Sequence, residues 1–213
     1  MPRTKEAFEA MRETTRHKIE AAALSLFARK GLSVKVGEIA EAAGVSQGLL
    51  YSHYQSKDAL IAELIRQATD ISGRSIMEIA GSGGTAAVKI KRITKMMCGM
   101  FTGGELRLPA SAAGSTGSVG IDYFMFMVQV GLSGFPVPEA SQYSPECPNP
   151  IESLARILAQ GQKERSVAPG SQFKMSLVYW AVIQGLCCYA ATGIPVSPEP
   201  KTLNRILLKE EYL

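Results

Sequence analysis

One stretch of this chain carries the side chains best suited to contact chemistry. From Ala42 through Lys57 there is no Asp or Glu, yet Ser46, Gln47, Tyr51, Ser52, His53 and Lys57 crowd into it. These groups donate and accept hydrogen bonds but form no nucleophile, base and acid constellation. Their chemistry is recognition of an anionic, hydrogen-bonding surface, because a face that approaches phosphates must lack carboxylates. Gln47 can pair with adenine N6 and N7. Gly48 lets the backbone approach closely, and Leu49, having no polar atom, can pack only on a thymine methyl. Lys57 stands beside a helix start, where exposed N–H groups favour an anion. Lys35, ahead of the stretch, adds a further cation.

Such residues must be held on a rigid element, and the flanking pattern supplies one. Val36, Ile39, Ala40 and Ala43 fall at i, i+3, i+4 and i+7, one face of a helix. Gly44 provides the residue that can turn left-handed where that helix stops. Ser46 is a good N-cap for the next helix. That helix turns Leu50 and Tyr54 inward and Gln47, Gly48, Leu49, Tyr51, Ser52 and His53 outward. The layout is a helix-turn-helix whose second helix fits a major groove. Ser56 then caps a further helix, with Asp58 in its first turn.

The pattern Ile39-Ala40, Ala43-Gly44-Val45-Ser46, Gly48, Leu50-Tyr51, Tyr54, Ser56-Lys57 and Leu60 resembles the signature of the TetR (tetracycline-repressor) family. The preceding helix, with Ile19, Ala23, Leu26, Phe27 and Gly31, is similar too, so the resemblance covers about residues 15 to 65. It implies that Tyr51, His53 and Lys57 contact the DNA backbone. The chain departs from the family pattern in four places. The segment from Gly31 to Val36 is about one residue short, Lys35 stands where Thr or Ser often caps, Leu49 replaces a common Thr, and His53 replaces a common Tyr.

The remaining elements read as an all-α chain: an N-terminal three-helix DNA-binding domain (1–55, with its arm) and a C-terminal helical ligand-binding and dimerisation domain (56–213). Residues 1–14 are an arm or an extension of a first helix at about 15–30. Helices are expected from Ser56 to about Ala80, at 86–101, at 121–132 (apolar all round, hence buried), at 151–163, at 172–191 and at 200–210. The Gly/Ser/Ala-rich segment 102–120 and the proline-rich segment 134–150 read as loops. In the fifth of these helices Phe173, Leu177, Trp180, Ala181, Gln184 and Cys188 cover one side, and Val178, Val182, Leu186 and Tyr189 another. Ile151, Leu154, Leu158 and Gly161 line one face of its predecessor. Helices with so much apolar surface need a partner, so 151–163 and 172–191 are expected to form a four-helix interface in a homodimer, as the resemblance also implies.

Between residues 85 and 135 soft and aromatic side chains abound: Met96, Met97, Met100, Phe101, Tyr123, Phe124, Met125, Phe126 and Met127. They can build a core or line an adaptable apolar cavity. The resemblance implies the cavity, with an apolar or aromatic small-molecule effector. Its expected lining is Met97, Phe101, Phe124, Met127, Tyr179, Trp180 and Gln184. Lys89, Lys91, Arg92 and Lys95 are expected on a solvated face. Glu105, Arg107 and Asp122 are the sparse charges that could orient a polar head.

The implied function is a ligand-responsive transcriptional regulator, a repressor on a near-palindromic double-stranded operator. The alternatives are a DNA-binding regulator without an effector, or an activator. An enzyme is disfavoured: His17 and His53 are the only two histidines, both in the reading region, and no nucleophile elbow, phosphate loop or dinucleotide fingerprint occurs. Cys98, Cys147, Cys187 and Cys188 have no metal spacing, and no cofactor is expected. The net charge of +4 permits a nucleic-acid partner. The first thirty residues are charged throughout and so form no signal peptide. With no apolar run of the ~18 residues a membrane span needs, a cytoplasmic location without a membrane partner is expected.

Overall fold

The computed structural model describes residues 5–102, 119–136 and 149–213. The helices are α1 (Lys5–Lys30), α2 (Val36–Ala43), α3 (Gln47–His53), α4 (Lys57–Gly81), α5 (Ala86–Thr102), α6 (Val119–Ser133), α7 (Pro150–Lys163), α8 (Gln172–Ala191) and α9 (Pro200–Asn204). Among the described residues there is no strand, only an isolated antiparallel bridge between Val167 and Leu208. The fold is all-α. The loops expected at 102–120 and 134–150 lie mostly outside the described residues, with Glu105, Arg107 and Cys147.

Local signals set most helix ends. Ser56 Oγ accepts from Ala59 N at 3.0 Å and starts α4. Asn149 Oδ1 accepts from Ile151 N at 2.8 Å and starts α7, with Pro150 in the first turn. The first helix extends back to Lys5, so residues 5–14 of the arm are part of α1. The tail helix is shorter than its composition suggested. After Asn204 the chain turns so that Leu207 and Leu208 bury beside Leu203, and Lys209 N donates to Ser166 O at 3.1 Å.

Two apolar cores result. The first gathers Ile19, Ala23 and Phe27 of α1, Ile39 and Ala40 of α2, Leu50 of α3, Leu60, Ile61, Leu64 and Ile65 of α4, and Tyr123, Phe126 and Val130 of α6. Phe27 and Phe126 stack with ring centroids 6.0 Å apart. A boundary at 55/56 marks the end of α3, while this core runs on through α4 and into α6. The second core joins the end of α4 to α5, α7, α8 and the tail around Ile90, Leu154, Leu158, Tyr179 and Ile183.

Three expectations change here. Helix α6 is not buried all round: Leu132 is 79% exposed, and Phe124 and Met127 border a cavity. It lies between the two cores, so its flanks face different neighbours. The α7 face carrying Leu154, Leu158 and Gly161 is spent within the chain against α4 and α5. What α7 leaves exposed is polar, namely Glu152, Arg156 and Lys163. Lys89 is buried, not solvated. Its Nζ donates to Ala80 O at 2.8 Å and to Gln160 Oε1 at 3.2 Å, and so ties the end of α4 to α7.

Candidate nucleic-acid interface

The turn between α2 and α3 is built as its residues dictate. Gly44 takes φ 66°, ψ 34°, and Val45 N donates to Ala40 O at 2.9 Å. Ser46 Oγ accepts from Leu49 N at 3.1 Å, which caps α3. Leu50 is wholly buried, while Ser46, Gln47, Gly48, Leu49 and Tyr51 are exposed. One surface of α3 therefore presents an amide, a hydroxyl, a phenol and an isobutyl group with no carboxylate among them. Ser52, on the same helix, keeps its hydroxyl at home by donating to Leu49 O at 2.7 Å. The Gln47 side chain leans back over Gly37 of α2.

The cations are arranged differently from a simple phosphate comb. Lys35 is exposed and stands at the N-cap of α2 without capping through its side chain. Glu38 does that work: its Oε2 accepts from Lys35 N at 3.0 Å and its Oε1 meets Lys30 Nζ at 3.1 Å. Those contacts, the backbone bond first, hold the Glu38 carboxyl below the usual carboxylate range. A Glu three residues after the cap was the available signal. Lys57 is half-buried, and its Nζ donates to Leu32 O at 2.8 Å and Val34 O at 3.3 Å. It braces the loop between α1 and α2, and one of its three N–H groups remains for an anion.

His53 also departs from expectation. It is half-buried and faces α1, sharing a polar cleft with Arg12, Glu13, Arg16 and Glu63. Burial, then the charges of Arg12 and Arg16, push its pKa below the usual histidine value. Its surroundings thus disfavour the charged imidazolium.

Beside it lies a network that the sequence reading missed. Tyr54, the C-cap of α3, donates a short hydrogen bond to Glu20 of α1. Arg16 Nε meets the same Glu20 oxygen at 2.9 Å, and Arg16 Nη2 meets Glu63 Oε1 of α4 at 3.0 Å. The clue was Glu20 itself, which sits on the inward stripe between Ile19 and Ala23. Burial raises the Tyr54 phenol well above its ordinary value, and the Glu20 bond adds to this. The phenol stays a donor.

Below the reader, a cavity of about 530 Å³ opens between α4, α5, α6 and α8. Met97, Phe124, Met127, Trp180 and Gln184 line it as expected, joined by Met96, Met100 and Tyr123. Phe101 and Tyr179 do not. Phe101 packs on the second core. Tyr179 is wholly buried, with its hydroxyl 3.0 Å from Thr94 Oγ1. It neighbours Trp180 on a helix, so the two side chains diverge by about 100°, and only Trp180 reaches the cavity. Apart from the Tyr123 phenol, none of the described lining residues is ionisable.

Helix α8 buries Ser176, Tyr179, Ile183 and Cys187. Its other side exposes Phe173, Leu177, Val178 and Tyr189, between 47% and 59%. By length and composition alone it is also the one described helix long and apolar enough to cross a membrane.

Comparison with known proteins adds a family to this geometry. Residues 19–64 match a family model described as bacterial regulatory proteins, tetR family. Over 62 residues the chain is 40% identical to the HTH-type transcriptional repressor KstR2 of Rhodococcus jostii (strain RHA1), covering 29% of this chain and 30% of that protein. Over 53 residues it is 43% identical to the HTH-type transcriptional regulator AcrR of Shigella flexneri, covering 24% and 25%. The match thus spans less than a third of either relative. The whole fold is similar to the crystal structure of a gamma-butyrolactone receptor (ArpA-like protein), with TM-score 0.68 and 20% identity over 93% of this chain and 90% of that one.

Proposed function

Because the chain belongs to the tetR family of bacterial regulatory proteins, we propose that it is a ligand-responsive transcriptional repressor. It binds a near-palindromic operator as a homodimer and leaves it when a small lipophilic effector enters the cavity. The observation that carries this reading is the capped α3 surface, with Ser46, Gln47, Gly48, Leu49 and Tyr51 exposed and no carboxylate among them. Gln47 and Leu49 read base edges. Ser46, Tyr51, Lys35 and the spare N–H of Lys57 hold the phosphates, which position the helix without specifying sequence. Residues 1–55 read the DNA and 56–213 sense and pair, with α4 common to both.

One reader meets too few phosphates for useful specificity. A two-fold pair sets two α3 helices about 34–36 Å apart or a multiple of that. The apolar side of α8 supplies the pairing surface, with small Ala181 and Gly185 allowing close approach and only the polar edge of α7 beside it. A protein that works on DNA places this dimer in the cytoplasm.

The cavity supports the effector. Its sulfur and aromatic lining suits a lipophilic molecule, and a relative of the same fold is named for binding a lactone. An effector that fits better when the readers are misplaced lowers DNA affinity, and DNA weakens the effector equally. Selection of tight binders from random duplex DNA by the purified protein tests the reading. An enriched near-palindrome is the expected result. A monomer in solution, or no enrichment with or without lipophilic compounds, would refute it.

A further inference from the structure

The cavity and the reader are joined by an unbroken run of side-chain hydrogen bonds. Tyr123, on the cavity wall, donates to Gln67 Oε1 of α4 at 2.7 Å. Gln67 Nε2 donates to Glu63 Oε1 at 3.0 Å. Arg16 Nη2 reaches the same Glu63 oxygen at 3.0 Å, and Arg16 Nε reaches Glu20 Oε1 at 2.9 Å. Tyr54, which ends α3, donates to that Glu20 oxygen. The run crosses from α6 to α4, to α1 and to the end of α3. Tyr123, Gln67, Glu20 and Tyr54 are all buried, so none of these groups can exchange its partner for bulk water without movement.

The chemistry of the cavity end constrains what can enter. The described lining holds no Asp, Glu, Lys, Arg or His, so an ion would lose its hydration without a countercharge. The lining does contain one phenol already acting as a donor. We propose that the effector is an uncharged lipophile bearing a hydrogen-bond acceptor, such as a lactone, ester or ketone carbonyl. It binds by taking the Tyr123 hydroxyl away from Gln67. This rests on the effector reading above and names both the ligand class and the way occupancy is read. Once Tyr123 turns to the ligand, the buried amide oxygen of Gln67 has lost its donor. The amide must rotate to find another, which withdraws it from Glu63. Glu63 is held jointly by Arg16 of α1 and Arg66 of α4, so the spacing of those helices at Tyr54 changes, and α3 with it. Tyr123 is the recognition residue. Gln67, Glu63, Arg16 and Glu20 are positioning residues.

Three probes test this with the full-length protein and the duplex recovered by selection. γ-Decalactone and decanoate have the same carbon number but differ in charge, and naphthalene offers no carbonyl acceptor. Calorimetry should show the lactone binding about tenfold tighter than decanoate or better. Tyr123→Phe keeps the ring, and should lower lactone affinity at least about fivefold relative to naphthalene affinity. Fluorescence anisotropy should show the lactone weakening duplex binding by wild type within the usual coupling range of about 5- to 150-fold. In Gln67→Met, of similar length, that ratio should fall below about twofold. Decanoate binding more tightly than the lactone overturns the ligand class. Unaltered lactone affinity in Tyr123→Phe, or a wild-type coupling ratio in Gln67→Met, overturns the exchange while leaving the regulator intact. A wild type that takes none of the probes, or selects no duplex, removes the function proposed above and this inference with it.

Discussion

Gln47 of the recognition helix lies over Gly37 of α2, where a Cβ on Gly37 would stand 3.0 Å from its Nε2. The absent methyl on one helix thus sets where the exposed Gln47 amide of the next can rest. Gln47→Ala should relax preference at one base position by about 1–3 kcal/mol. Gly37→Ala should disturb the same position by displacing the amide. Because only the far end of a flexible side chain must yield, stability should change by no more than about 0.5 kcal/mol. Affinity against a panel of single-base operator variants, with thermal melts in parallel, checks both. Changed preference at different positions would separate the two residues.

Lys57 should prove to be two things at once. Its ammonium satisfies the carbonyls of Leu32 and Val34, so Lys57→Ala should cost about 1–3 kcal/mol of stability by leaving acceptors unpaired. If its remaining N–H meets a phosphate, the same variant weakens all duplexes alike and lowers the salt slope by about one. Denaturant melts read the first effect and salt titration of duplex binding the second. A lowered midpoint with an unchanged slope would make Lys57 a brace only.

His53 gives the stability a defined pH dependence. Its folded pKa lies below its unfolded value near 6.5, through burial and then the Arg12 and Arg16 charges. The unfolded chain therefore binds the proton first as pH falls. His53 should cost stability progressively from that value down to the lowered one, with no further change beneath it. The difference in melting temperature between wild type and His53→Gln, followed from pH 8 to 5, should widen in that window. A constant difference would mean that His53 titrates normally.

At Gly161, α7 packs tightly against Ala86 of α5 and Val167. A Cβ there would meet Val167 Cγ2 at 2.5 Å and Ala86 Cβ at 3.1 Å. Neither atom is the end of a long flexible chain, so the backbone must give way. Gly161→Ala should destabilise by about 1–3 kcal/mol, measured by urea unfolding at fixed protein concentration. An unchanged midpoint would mean that the α5–α7 contact can slide.

What was legible beforehand was local. Ser46, Gly44 and Ser56 act on backbone groups within four residues, so their types and spacing announced the turn and the helix starts. Leu50 and Tyr54 were legible as inward residues for the same reason. The burial of Lys89 and the bracing role of Lys57 were not legible because their partners are oxygens of other segments, and nothing near a lysine tells which segment will fold over it. Tyr179 was placed in the cavity because α8 is apolar on several sides, and periodicity then cannot say which side meets which neighbour. The Arg16–Glu20–Glu63 network was missed because Arg16 and Glu63 resemble ordinary surface charges, and only Glu20, on the inward stripe, pointed to it. Which side of α7 faces its own chain was not legible, because pattern alone does not distinguish a neighbour in the same chain from one in another.

The stacked pair Phe27 and Phe126 has a consequence for how the protein is made. Phe27 emerges from the ribosome early, but the ring that covers it belongs to α6 and is translated much later. Until then the reader's core is open on one side, and closing it must await a long loop. Sensor and reader consequently mature together. A chain interrupted before α6 leaves that first core incomplete, exposing apolar surface to quality control.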